Sequence, residues 1–152
     1  MNRPIRFRAW DKERKQIVYV FGISQAVYDQ DCEGEPEWKH TQQIQEILVS
    51  DFTMKEPFFE KPNWVDASGY ELMQFTGLLD KNGKEIYEND IYSVNGKIFH
   101  VIFKRGAFVL KNQNENNLHR LHNAVHNGIV VGNNCENPEL LISEQKTSST
   151  TE

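Results

Sequence analysis

The chain has 152 residues, of which 38% are hydrophobic and 26% charged, with a net charge of −5. That balance excludes a collagen-like fibre and a wholly disordered chain, and no apolar run approaches the ~20 residues that cross a bilayer. Aromatic residues at 11% are enough to furnish one core, so a single domain over residues 1–143 followed by a polar tail is the expectation at this length.

In chain order, residues 4–21 predict a β-hairpin. Ile5, Phe7 and Ala9 alternate with Arg6, Arg8 and Trp10, Asp11–Lys15 forms a polar turn, and Ile17–Phe21 is β-branched and aromatic. Residues 22–69 read as an acidic and aromatic irregular middle. Within it, 22–40 is a loop with at most one short helical turn. Ile44, Ile47 and Leu48 fit a short helix capped by Thr41, or else Ile47 opens a strand. From Asp51 to Ser68, Pro57 and Pro62 break regularity, while Phe52, Phe58, Phe59 and Trp64 are expected to anchor the segment to the body.

Residues 70–143 carry the clearest signals. Leu72–Gly77 alternates, Asp80–Lys84 holds an Asn-Gly turn, and a second Asn-Gly at Asn95-Gly96 separates Ile91–Val94 from Ile98–Phe103. The last of these strands is apolar on both faces and expected at the centre of its sheet. Ala107–Leu110 follows the turn Lys104–Gly106. Leu118, Leu121 and Val125 at i, i+3, i+7, between Asn117 and Asn127-Gly128, predict a short helix. Ile129–Val131 is a final strand, Leu140–Ile142 packs the end, and 144–152 is expected to be disordered. Short strands joined by tight turns describe a small barrel or meander.

The bases and acids are unevenly placed. Residues 1–15 hold Arg3, Arg6, Arg8, Lys12, Arg14 and Lys15 against Asp11 and Glu13, whereas 29–37 hold five acids and no base. The N-terminal charges precede no apolar stretch, so no signal peptide is read and a cytoplasmic location is expected. Cys32 and Cys135 lie 103 residues apart and in no CxxC pair, which favours two reduced thiols over a disulfide.

Candidate sites are few. Asp29, Asp31, Glu33 and Gly34 sketch half of a calcium loop, but the twelfth position is His40 instead of a bidentate Glu, so a solvated acidic loop is preferred. His119, His122 and His126 would share one face of the proposed helix, with Cys135 or Glu136 nearby; they are the one weak metal candidate and the basis of a third-ranked reading as a metal-dependent enzyme. Glu88 and Asp90 flank a turn, which accounts for them without acid–base chemistry. No GxSxG, phosphate-cradling glycine loop or HExxH is present, so no catalytic residue and no cofactor are assigned. Arg6 and Arg8 with Trp10 form the one mixture of cations and an aromatic, suited to contact with a partner or with single-stranded nucleic acid.

Three stretches in order resemble the YopX family, small proteins encoded mainly by bacteriophages and prophages. They are Ile5–Lys12; Leu72–Ile91, reading LMQFTGLLDKNGKEIYENDI; and Val131-Gly132-Asn133 with Glu136-Asn137-Pro138-Glu139-Leu140-Leu141. Two positions depart from the family pattern: Asn89 stands where Gly is usual, and Asn134-Cys135 replaces a more hydrophobic pair. The resemblance implies a mainly β protein whose C-terminal half is like an SH3-type barrel, and it brings no activity with it. Gly77, Gly83 and Gly106 then suit turns, Asp80 and Asp90 suit loop capping, and Tyr87 with Ile91 suits the edge of a core. Together these features point to a phage accessory protein that works as a non-enzymatic binding module through protein–protein contacts, including self-association into a homo-oligomer. Nucleic-acid binding is the alternative, and no membrane partner is implied.

Overall fold

The computed structural model describes residues 4–25, 44–50, 63–114 and 116–142. The acidic stretch 29–37, His40, Cys32, Phe52, Phe58, Phe59 and the tail 144–152 all lie outside the described residues. The chain is mainly β, with two antiparallel sheets and few, short helices. It divides into two compact units: one is Phe7–Leu72, and the other is Met73 onward together with the residues up to Arg6. No helix among the described residues is long and apolar enough to cross a membrane.

In the first unit, β1 (Phe7–Asp11) and β2 (Gln16–Gln25) form the expected hairpin, with Phe7 opposite Val20 and Asp11 opposite Gln16. Its turn is fixed by Asp11, whose Oδ1 accepts the amides of Glu13 (3.0 Å) and Arg14 (2.9 Å) while its carbonyl accepts that of Lys15 (2.8 Å). β2 runs past Phe21 to Gln25, farther than expected. The helix option for 41–49 is replaced by β3 (Ile44–Ser50), whose buried Ile47 and Val49 follow a period of two. β4 (Asn63–Asp66) pairs with β3, so part of the segment read as irregular is sheet. The lateral order is β4-β3-β2-β1. Ala9, Val18, Ile47 and Val49 form the core of this unit, closed by Val20, Ile23, Val65, Ala67, Tyr70 and Leu72. Trp64, expected as an anchor, is 52% exposed, because on a strand it falls on the face opposite Val65.

In the second unit, β5 (Tyr70–Leu79) enters at Met73 and pairs with β6 (Glu85–Tyr87). A register shift between Phe75 and Leu79 leaves Gly77 at φ 84°, and the Thr76 hydroxyl bridges the break by donating to the Ile86 carbonyl (2.8 Å) and accepting the Leu78 amide (3.2 Å). β7 (Asp90–Val94), β8 (Lys97–Lys104), β9 (Ala107–Lys111), β10 (Leu118–Arg120) and β11 (Gly128–Asn133) form a sheet ordered β10-β9-β8-β7-β11. The expected central strand, β8, is its middle member. The strands end at β10 on one side and β11 on the other, so the sheet is open.

The predicted helix over 118–125 is not formed. Leu118–Arg120 instead pair with β9, Leu118 opposite Lys111, and Leu121–Asn123 make one 3-10 turn. The apolar spacing survives because Leu121 and Val125 still reach the core made by Ile86, Tyr92, Phe99, Val101 and Leu110. A four-residue helix, α1 (Glu139–Ile142), ends the described chain with Leu141 buried.

Candidate functional site

The basic edge read from the sequence is divided by the structure. Arg6 belongs to the second unit, where its guanidinium pairs with Glu85 and lies 4.7 Å over the ring of Phe75. Glu85 also accepts the Tyr87 hydroxyl (2.8 Å), and the Phe75 and Tyr87 rings stand 5.4 Å apart. Arg6 is therefore a component of a local cluster that staples the start of the chain to β5 and β6. Arg8 and Trp10 sit on β1 in the first unit, both half-buried, Arg8 opposite Tyr19 and Trp10 opposite Ile17.

The register of the first unit reveals a face that sequence reasoning missed. Residues directly opposite each other share a face, so Arg8 and Tyr19 lie together, as do Gly22, Leu48 and Trp64. A bulge between Val20 and Gly22 carries Phe21. Tyr19 is 53% exposed, Phe21 61% and Trp64 52%, all on or beside the face turned away from the Ala9–Val18–Ile47 core. Trp64 passes close over Gly22, where an added Cβ would stand 3.1 Å from its ring. At the far end of the same face Glu46 pairs with Asp66. The Ser68 hydroxyl and amide bond to Asp66, the amide at 2.7 Å, and hold its carboxyl below the ordinary value. The signal for this face was present in Tyr19, Phe21 and Trp64 as residue types, but the bulge hides the register that gathers them.

The carboxylates of the second unit are occupied in turns. Asp80 Oδ1 accepts the amides of Asn82 (2.8 Å) and Lys84 (2.9 Å), and Oδ2 accepts that of Val130 (3.0 Å). Burial alone would push this carboxyl up; the amides of Val130, Lys84 and Asn82, with the Lys84 ammonium nearby, outweigh it and hold the group below 3.8. Burial, with the charge of Asp80, pushes the Tyr92 hydroxyl up, against a smaller opposing contribution from the Gly128 amide. Asp90, the first residue of β7, is buried and accepts the Tyr87 amide at 2.8 Å, so it caps the turn that holds Glu88.

The three histidines do not share a helical face. His119 stands edge-on to Phe99 at 5.6 Å on β10, His122 lies in the 3-10 turn and His126 in the turn before β11. Among the described residues no group of three or more His, Cys, Asp or Glu is gathered so as to hold a metal ion. His119 and Arg120 instead border an open cleft of about 370 Å³ floored by Phe99 and Leu110. Cys135 is half-buried, its amide bonded to Asn133 Oδ1 (3.0 Å), in a turn where Asn133 also holds Glu136.

Residues from each of the stretches that carry the family resemblance meet in the second unit. The Phe75 amide reaches the Arg6 carbonyl (2.8 Å), Val130 reaches Asp80, and the Asn134 amide reaches the Asn89 carbonyl (2.8 Å). Among solved structures, protein EF1440 from Enterococcus faecalis is similar at a TM-score of 0.60 and 23% identity, over 91% of this chain and 98% of that one. Protein yopX from Bacillus subtilis is similar at a TM-score of 0.52 and 20% identity, over 90% of this chain and 95% of that one. These likenesses concern the fold. No curated protein sequence gives a significant match. The family model described as YopX protein matches residues 6–142. The chain belongs to the YopX protein family.

Proposed function

We propose that this protein is a non-enzymatic binding module, a phage or prophage accessory protein of the bacterial cytoplasm, and that it acts through protein–protein contacts made by the outer face of β1–β4. The observation that carries this reading is a set of three aromatic rings, each more than half exposed: Tyr19 and Trp64 on the side of the sheet opposite its closed core, and Phe21 in the bulge of β2 next to them. Aromatics of this size bury about 150–250 Å² each, so three half-exposed rings leave on the order of 300 Å² of apolar surface, the range in which exposed patches are commonly functional. Binding rather than catalysis is supported by what the buried carboxylates do: Asp80 and Asp90 cap loops with their oxygens already engaged by amides. The short antiparallel strands of the second unit support its reading as a small SH3-like pseudobarrel that serves as scaffold.

A photo-crosslinking amino acid in place of Tyr19 tests the proposal. The expected result is a covalent adduct with a protein identified by mass spectrometry, lost on Phe21→Ser and absent when the probe replaces Lys104. Failure to form any protein adduct overturns it. The second reading, contact with single-stranded nucleic acid, is favoured by Arg8 beside Tyr19 and on the same strand as Trp10. It requires an affinity that falls with added salt and with loss of Arg8.

A further inference from the structure

The outer face of β1–β4 carries unlike charges at opposite corners. Arg8 lies on β1 in the row that continues through Tyr19 to Ser50 on β3, and Glu46 lies four residues farther along β3, opposite Asp66 on the edge strand β4. At about 3.4 Å per residue and 4.8 Å per strand, the two corners are separated by roughly 14 Å along the strands and 10–14 Å across them. Tyr19, Leu48 and Trp64 lie between them on this face, with Phe21 in the adjoining bulge of β2.

We propose that this face binds a second copy of the same chain, face to face, with Arg8 of each copy set against Glu46 and Asp66 of the other. The inference rests on the preceding reading of this face as a protein-binding surface and names its partner. The charge pattern makes the patch complementary to itself. A two-fold axis lying in the interface, perpendicular to the diagonal, superposes each positive corner on the other copy's negative corner and stacks aromatic on aromatic. Because the diagonal runs at roughly 45° to the strands, the same axis turns one set of strands through about 90°, the orthogonal class of sheet packing, with the sheets about 10 Å apart. An aligned stacking, near −30°, leaves the charged corners apart. The exposed aromatic area is smaller than the ~800 Å² per partner of a standard stable interface, so the dimer is a weak and reversible one.

Sedimentation velocity on the full chain, from low micromolar to near-millimolar concentration, is the test. The wild-type mass should rise from monomer to dimer, with no higher species. Phe21→Ser, Arg8→Glu and Glu46→Arg should each weaken association by about tenfold or more while leaving the circular dichroism spectrum unchanged. An equimolar mixture of the Arg8→Glu and Glu46→Arg chains should recover the dimer, since each then meets an opposite charge at both corners. A wild-type chain that stays monomeric throughout overturns the proposal whatever the variants do. So does a mixture of folded variants that fails to recover. A monomer that still gives Tyr19-dependent adducts with a different protein overturns the dimer and leaves the binding face standing.

Discussion

Asp80 ties together distant parts of the second unit, because one side chain serves both ends of its own turn and a strand fifty residues later. Hydrogen bonds to a charged group contribute about 1.5–3 kcal/mol each, so Asp80→Ala should cost more than a typical surface change and show in urea unfolding at neutral pH. The pH dependence has a fixed sign. Since folding lowers this carboxyl below 3.8, its contribution is complete above that value and is lost as pH falls through the lower folded value. Asp80→Asn should therefore flatten the acid limb of a stability–pH curve, and an unchanged limb would count against the amide cage. Asn89 shows a different economy. Its φ of 65° lets its amide reach the Val101 carbonyl and its carbonyl reach the Asn134 amide, a conformation Gly adopts freely and Asn tolerates. Asn89→Gly should stay within about 0.5 kcal/mol of wild type, because relief at the backbone offsets the lost contact with His100 Nε2, whereas Asn89→Ala should lose about 1–2 kcal/mol by thermal unfolding.

At the level of elements, the turns were legible in the sequence and the long-range pairings were not. Asn-Gly at Asn82-Gly83 and Asn95-Gly96 announces tight reversals because both residues tolerate positive φ, and both reversals are present. Leu118, Leu121 and Val125 mimic a helix because a three-residue strand followed by a 3-10 turn returns apolar residues at nearly the same spacing; only the pairing with β9 decides between them. The difference is measurable. On a helical stripe Leu118 and Leu121 would be equivalent, but Leu121 is 1% exposed and Leu118 is only partly covered. Leu121→Ala should cost about 2–5 kcal/mol and Leu118→Ala clearly less, read from chemical denaturation midpoints. Arg6 and Trp10 were legible as a basic and aromatic string, but the partner of Arg6, Glu85, is remote in sequence and no local pattern discloses it. The bulge at Phe21 likewise shifts the register that brings Tyr19 and Trp64 to one face.

For the whole molecule, the net charge of −5 conceals a surface whose polarity is local. If the outer face joins two copies, the melting temperature of the wild type rises with protein concentration by mass action, and that of Phe21→Ser does not. At low concentration the two should melt within about 0.5 kcal/mol of each other, since Phe21 is 61% exposed and contributes little to the monomer. The connectivity of the second unit has a consequence in time as well. Strands β7, β8, β9 and β10 pair in the order in which they leave the ribosome, so their ladders close small loops and form early. β7 also needs β11, and Asp80 needs Val130, so one edge of the sheet stays open until residues 128–133 have been made. The nascent chain must pass through a stage in which an apolar strand edge is bare, and the rate at which residues 128–133 are delivered decides how long it is exposed to pairing with a neighbour.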